Sequence, residues 1–214
     1  MRADCLSWLG HPEVKTPALD RLSEDGVLFR NVVTQAPVCV PARISLFTGL
    51  YVHQHGCVIN PTYNLWPDTP NMVRAVRDAG YETGVRGKLH LFWRHDTELP
   101  LSAPLLRKFG FTDAVETAGK CSNAFLRASA YTEHLNLQGL LDRFYRDLVR
   151  RVEERTLGVT FGKSVFGEKD QMDGWIMDRG IEFVRRHAGA EKPWLAWSGR
   201  YPALEVLREE LRQC

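Results

Sequence analysis

Two segments of this chain carry the same order of folding signals. Thr16-Pro17 opens a helix in which Thr16 is the N-cap, Pro17 takes the first helical position, Leu19 and Leu22 share a face, and Gly26 stops the run. The stretch "VLFRNVV" that follows has the composition of a strand. The signals recur at Thr69-Pro70, where "NMVRAVRDAG" predicts a helix with Met72, Val73 and Val76 turned inward and Gly80 past its end. The strand-like "YETGVRG" comes next. A helix feeding a strand twice over predicts helices layered on a sheet, an α/β fold.

Ser129 to about Glu154 has a helical pattern in two parts, broken near Gly139, with Leu140, Leu141, Phe144, Leu148 and Val152 as candidate buried positions. It reads as a scaffold helix or as a lid over a site. Beyond the Gly- and Lys-bearing loop around "FGKSVFGEKD", the stretch "GWIMDRGIEFVRRHAG" predicts another amphipathic helix, and "PWLAWSG" a short, fully buried strand.

With 214 residues, 44% of them hydrophobic, the chain has enough apolar side chains for one domain with a real core. Its 28 basic and 26 acidic residues are spread along the whole length, so no patch points to nucleic acid or to a membrane surface. Five cysteines (Cys5, Cys39, Cys57, Cys121 and Cys214) form an odd set without Cys-x-x-Cys pairs. That argues against a disulfide framework and a zinc ribbon, and for thiols in a reducing compartment. The opening "MRADCLSWLGHPE" has no basic region followed by an apolar core, so the expected location is the cytoplasm.

The chemistry concentrates around Cys39. Pro41 suits the first turn of a helix that "ARISLFTG" continues to a stop at Gly49, which puts Cys39 at or just before the helix N-terminus. The positive end of the helix then favours an anionic group there. Arg43, about one turn on, lies on the same face, where a guanidinium can grip a side chain or an anion. A phosphatase of the Cys-x5-Arg type is a poor match, because Cys39 and Arg43 are separated by three residues. "CSNAFLR", Cys121 to Arg127, has the count but lacks the glycines that wrap a phosphate. His53 and His55 in "YVHQHG" read as structural.

"CVPARISLFTG" resembles the Cys-x-Pro-x-Arg signature of the type I sulfatases, in the alkaline phosphatase superfamily. "GYETGVRGKLHL" is similar to the family's Gly-Lys-x-His segment, and "KPWLAWSG" to the strand after its next long helix. The resemblance implies an alkaline-phosphatase-like three-layer α/β/α sandwich, with residues 1–214 as the N-terminal portion of the catalytic domain. It further implies that a formylglycine-generating enzyme oxidises Cys39 to formylglycine. One hydroxyl of the aldehyde hydrate then attacks sulfur and expels the alcohol, and loss of a proton from the other ejects sulfate. Pro41 and Arg43 belong to the modification signal, and Arg43 also steadies the hydrate. Lys88 and His90 match the second motif: a compact cation for a sulfate oxygen, and a proton acceptor near neutral pH. The implied substrate is a small-molecule or carbohydrate sulfate ester.

The same resemblance implies a calcium ion, or a magnesium ion, held by hard oxygen ligands: two acidic pairs and the formylglycine from Cys39. It places the first pair ahead of Met1 and the second beyond Cys214, and no histidine follows His187 where the family commonly has a substrate-side one. The expectation is therefore a sulfatase fragment, lacking the first strand and the C-terminal part, with an exposed sheet edge and marginal stability. The alternatives are a phosphonate or phosphate ester hydrolase of the same superfamily and a non-catalytic truncated remnant.

Overall fold

Strands β1 (Glu82–Gly87), β2 (Asp113–Glu116) and β3 (Trp194–Gly199) run parallel in the order β2-β1-β3. The computed structural model describes residues 5–60, 65–91, 103–117, 129–153 and 165–199. The helices of the described residues are α1 (Pro17–Glu24), α2 (Cys39–Thr48), α3 (Val52–His55), α4 (Met72–Asp78), α5 (Ala103–Lys108), α6 (Ala130–Leu137), α7 (Leu141–Glu153) and α8 (Met172–His187). This is the α/β architecture expected from the helix-then-strand order.

Alternation along the strands sends side chains to two different helical layers. Val85 of β1 and its register partners Ala114 and Trp197 face one layer, where Val40, Ile44 and Phe47 of α2 join Val73 of α4 and Phe109 and Phe111 after α5. Arg86 and Val115 face the other. There Arg86 lies over the Phe183 ring of α8 at 5.0 Å, and Val115 packs against Tyr131, Trp175 and Ile176 from α6 and α8. Arg86 is 3% exposed, and its charge is answered by Asp113 at 2.6 Å, which also accepts from Arg186 at 2.7 Å. Burial pushes the Asp113 carboxyl up, but the two guanidiniums outweigh it and hold the group below its ordinary value.

The chain divides into two compact units, residues 1–34 and 35–214. In the first, Thr16 stands at the N-cap of α1 as expected, but its hydroxyl donates to Asp20 Oδ1 (3.1 Å) instead of accepting a helix amide. Ser7 Oγ donates to the other Asp20 oxygen at 2.6 Å. Leu19 and Leu22 are exposed, and so are Val27, Phe29, Val32 and Val33, the last at 85%. The expected strand "VLFRNVV" does not form. Its Val and Phe content favours a strand only as part of a ladder, and the segment has no ladder partner among the described residues.

Smaller departures from expectation lie in the second unit. The α4 cap is Asn71, two residues past Thr69, whose side chain accepts from Arg74 N at 2.9 Å; the helix begins at Met72, which is exposed, while Val73 is buried. The two-part helix forms as α6 and α7 around a turn at Gly139, with Ser129 capping α6. Leu140, Leu141 and Phe144 are half-buried, and the side chains of Leu148 and Val152 lie outside what is described. β3 is an outer strand of the described sheet, which is why Ala196 and Ser198 are exposed in a stretch expected to be fully buried.

Candidate active site

Val38 is extended (φ −130°, ψ 143°) and Cys39 is the first residue of α2. Val40 N donates to Asn60 Oδ1 at 2.9 Å, Pro41 has no N–H to satisfy, and Ala42 N closes the first turn on Val38 O at 3.1 Å. The first turn is thus fixed from below by buried Val40, Pro41, Ile44 and Phe47, with the half-buried Cys39 at its positive end. Gly49 ends the helix as expected.

Arg43, half-buried one turn on, uses Nη1 to donate to the backbone carbonyl of Lys88 at 2.8 Å. This bond joins the two segments that sequence reasoning singled out, Cys39 with Arg43 and Lys88 with His90, although they stand far apart in the chain. Lys88 follows directly on β1, at the carboxyl end of a parallel sheet, where open α/β folds bind their ligands. It is 6% exposed. Its peptide is held on every side: Thr117 N donates to Gly87 O (3.1 Å), and Lys88 N donates to Gly199 O (3.2 Å).

Two backbone features of this segment have distinct causes. Gly87 has φ +86°, and a Cβ there would collide with the carbonyl of Gly199, its register partner, so this position admits glycine alone. His90 has φ +55°, and among the described residues it is the one non-glycine in the left-handed region. Histidine is among the residues enriched there, at a cost on the order of 1 kcal/mol, and such strain collects at functional segments.

The other histidine pair is structural, as expected. Cys57 N donates to His55 Nδ1 (3.1 Å), so the neutral ring carries its proton on Nε2, 2.9 Å from Ser45 Oγ. Burial draws the His55 pKa below 6.5, against a smaller upward pull from its backbone bond. His53 stacks on Tyr51 at 5.7 Å. Burial also raises the Cys57 thiol to about 11, which makes it a packed, unreactive residue. Asn60 and Gly199 were missed by sequence reasoning, because only the fold brings them to the first turn of α2 and to Lys88. Cys121 and Arg127 lie outside the described residues.

Among the described residues, no three His, Cys, Asp or Glu side chains gather as a metal site. Arg43 and Lys88, which the bond between their segments brings together, are both cations, whereas calcium takes six to eight oxygens. The described residues therefore suit an anion and do not by themselves fit the metal.

The sulfatase family model matches residues 1–197. An ulvan-active sulfatase of Formosa agariphila is 39% identical over 82 residues, which are 38% of this chain and 16% of that protein. An arylsulfatase of Clostridium perfringens is 34% identical over 92 residues, 43% of this chain and 19% of that one. The chain thus matches less than a fifth of the length of either relative. Among solved structures, a phosphonate monoester hydrolase of Agrobacterium radiobacter superposes with a TM-score of 0.65 at 26% identity, covering 92% of this chain and 38% of that one. The fold is therefore that of the alkaline-phosphatase-like hydrolases. Because the family match takes in both motif segments and all but the last residues, the chain belongs to the sulfatase family.

Proposed function

We propose that residues 1–214 are the N-terminal portion of a sulfatase catalytic domain that hydrolyses an organic sulfate ester. The observation that carries this reading is the Arg43 to Lys88 bond, which couples the Cys39 helix end to the Lys88–His90 segment at the carboxyl edge of the sheet. Cys39 is the residue that a formylglycine-generating enzyme converts, and formylglycine supplies, as its hydrate, a hydroxyl nucleophile for sulfur. A calcium or magnesium ion belongs to this reading, with Cys39 as formylglycine one of its ligands.

The chain's own residues have three tasks in this reading. The N-terminal end of α2 supplies positive field at Cys39. Lys88, buried where the local dielectric is low, meets a sulfate oxygen and stabilises charge that builds on it. His90 holds or takes a proton near neutral pH. Arg43 keeps the two segments in register. The relative named for ulvan favours a sulfated carbohydrate as the substrate class.

The test is to produce the protein together with a formylglycine-generating enzyme, confirm the aldehyde at Cys39 by peptide mass, and compare 4-nitrophenyl sulfate with 4-nitrophenyl phosphate and a phenylphosphonate ester. The expected result is preferential sulfate ester cleavage that falls roughly 1000-fold or more in Cys39→Ala. Preferential phosphonate cleavage would instead establish a phosphonate hydrolase of the same superfamily. An aldehyde-bearing protein that cleaves none of the three would be a non-catalytic remnant.

A further inference from the structure

We propose that Gly199, at the end of β3, is a positioning residue for Lys88. The inference rests on the role proposed for Lys88 above. Three different elements grip the backbone at this point. The end of β2 holds the Gly87 carbonyl through Thr117 N, the end of β3 holds Lys88 N through Gly199 O, and α2 holds the Lys88 carbonyl through Arg43. Beyond Gly87 the chain leaves the ladder, so these three bonds replace the sheet in fixing where Lys88 stands.

Gly199 does this by having no side chain. Its backbone φ is not in the left-handed region, so conformation does not demand glycine here; proximity does. A Cβ on Gly199 would run into the Lys88 carbonyl oxygen, with the Lys88 carbonyl carbon at 3.1 Å and nitrogen at 3.2 Å. That oxygen is the one Arg43 donates to. Any side chain at 199 therefore pushes the Lys88 peptide off β3 and breaks its alignment with Arg43. Glycines 87 and 199 thus allow one close approach: the Gly199 backbone occupies the space a Cβ at 87 would need, and the Lys88 backbone the space a Cβ at 199 would need. The consequence is a lysine sunk at the carboxyl edge of the sheet, where its ammonium meets an oxyanion in one place only.

The experiment reads the lysine itself. The protein, in wild-type form and as Gly199→Ala, is acylated briefly with acetic anhydride, and each lysine is quantified by peptide mass against exposed Lys169 and Lys192. The expected result is at least an about fivefold rise in Lys88 acylation relative to those two, in a protein that still unfolds cooperatively though at a lower melting temperature. Arg43→Met, which removes the donor at similar bulk, should give the same rise and decides the matter if Gly199→Ala fails to fold. A Lys88 rate that does not change relative to the reference lysines overturns the proposal. In the aldehyde-bearing enzyme Gly199→Ala should also lower kcat/KM for 4-nitrophenyl sulfate about tenfold, since Lys88 stabilises charge that builds on the sulfate oxygen. Absence of sulfatase turnover in the wild type would refute the proposed function, while Lys88 acylation would still decide the positioning role.

Discussion

Replacing Phe47 with alanine tests whether the Cys39 helix is seated as described. Phe47 lies eight residues along α2 from Cys39 and is fully buried. Its ring meets Phe109 edge-on at 5.9 Å, Phe111 in a stack at 6.2 Å, and Trp197 of β3 edge-on at 6.1 Å. Removing it empties a space bounded on three sides by rings that are themselves anchored in α5, β2 and β3 surroundings, so collapse is limited. That puts the cost near the middle of the range for such truncations, about 4 kcal/mol, a large share of the ~5–15 kcal/mol of a typical domain. Phe47→Leu fills most of the space and should cost about 1.5 kcal/mol. The assay is urea unfolding followed by near-ultraviolet circular dichroism, with a double-mutant cycle against Trp197→Ala. The cycle should return a coupling of about 0.5–1.5 kcal/mol. A loss below about 1 kcal/mol for Phe47→Ala, or strict additivity with Trp197→Ala, would refute the packing of α2 on the sheet.

Asp113→Asn leaves the buried Arg86 without its counter-charge. Since Asp113 is 31% exposed, the loss should be about 2 kcal/mol, below the 3–5 kcal/mol of a fully buried pair, measured as a shift in urea midpoint at constant m. The same carboxylate has its pKa depressed in the fold, so its contribution is complete above its ordinary 3.8 and is lost as pH falls through the depressed value; Asp113→Asn should flatten that acid limb. His55 is also depressed, so the unfolded chain takes up its proton first as pH drops below 6.5, and urea midpoints should fall between pH 7.5 and 5.5 by less in His55→Asn than in wild type. Cys57, its thiol raised to about 11 and its side chain buried, should resist iodoacetamide at pH 8 in native protein and react once urea unfolds it; native-state labelling at the rate of a peptide thiol would contradict its burial.

The parts of the fold legible in the sequence are those whose signals are local. Pro41 and Gly49 bracket α2, Gly139 separates α6 from α7, and Gly80 precedes β1. The motif residues Cys39, Arg43, Lys88 and His90 were legible by resemblance, and the Arg43 to Lys88 bond brings their two segments together. What was not legible depends on distant partners. β2 is a four-residue strand whose identity comes from pairing with β1 and from Arg86 seeking Asp113, neither visible in "TDAVET". "VLFRNVV" has strand composition without a described ladder, so composition alone misled. The α4 cap was misplaced because Asn71 outcompetes Thr69 for the first amides. Gly199 reads as a strand end in the sequence; only the approach of Lys88 shows why a side chain is excluded.

The central strand also sets a schedule. Lys192, at the threshold of β3, pairs with Glu82 of β1 across 110 positions. At about 5–20 residues per second, a ribosome needs roughly 5–20 s to make that stretch. Until then β1 has no partner on that side, and the Lys88 amide has no acceptor from Gly199. Helix α2 can coil early, since its contacts with its own residues are local, but the carboxyl edge beside it comes into being only when the last described strand arrives. During that interval Cys39 is carried on a nascent chain in which the Lys88 amide has not yet met Gly199 O.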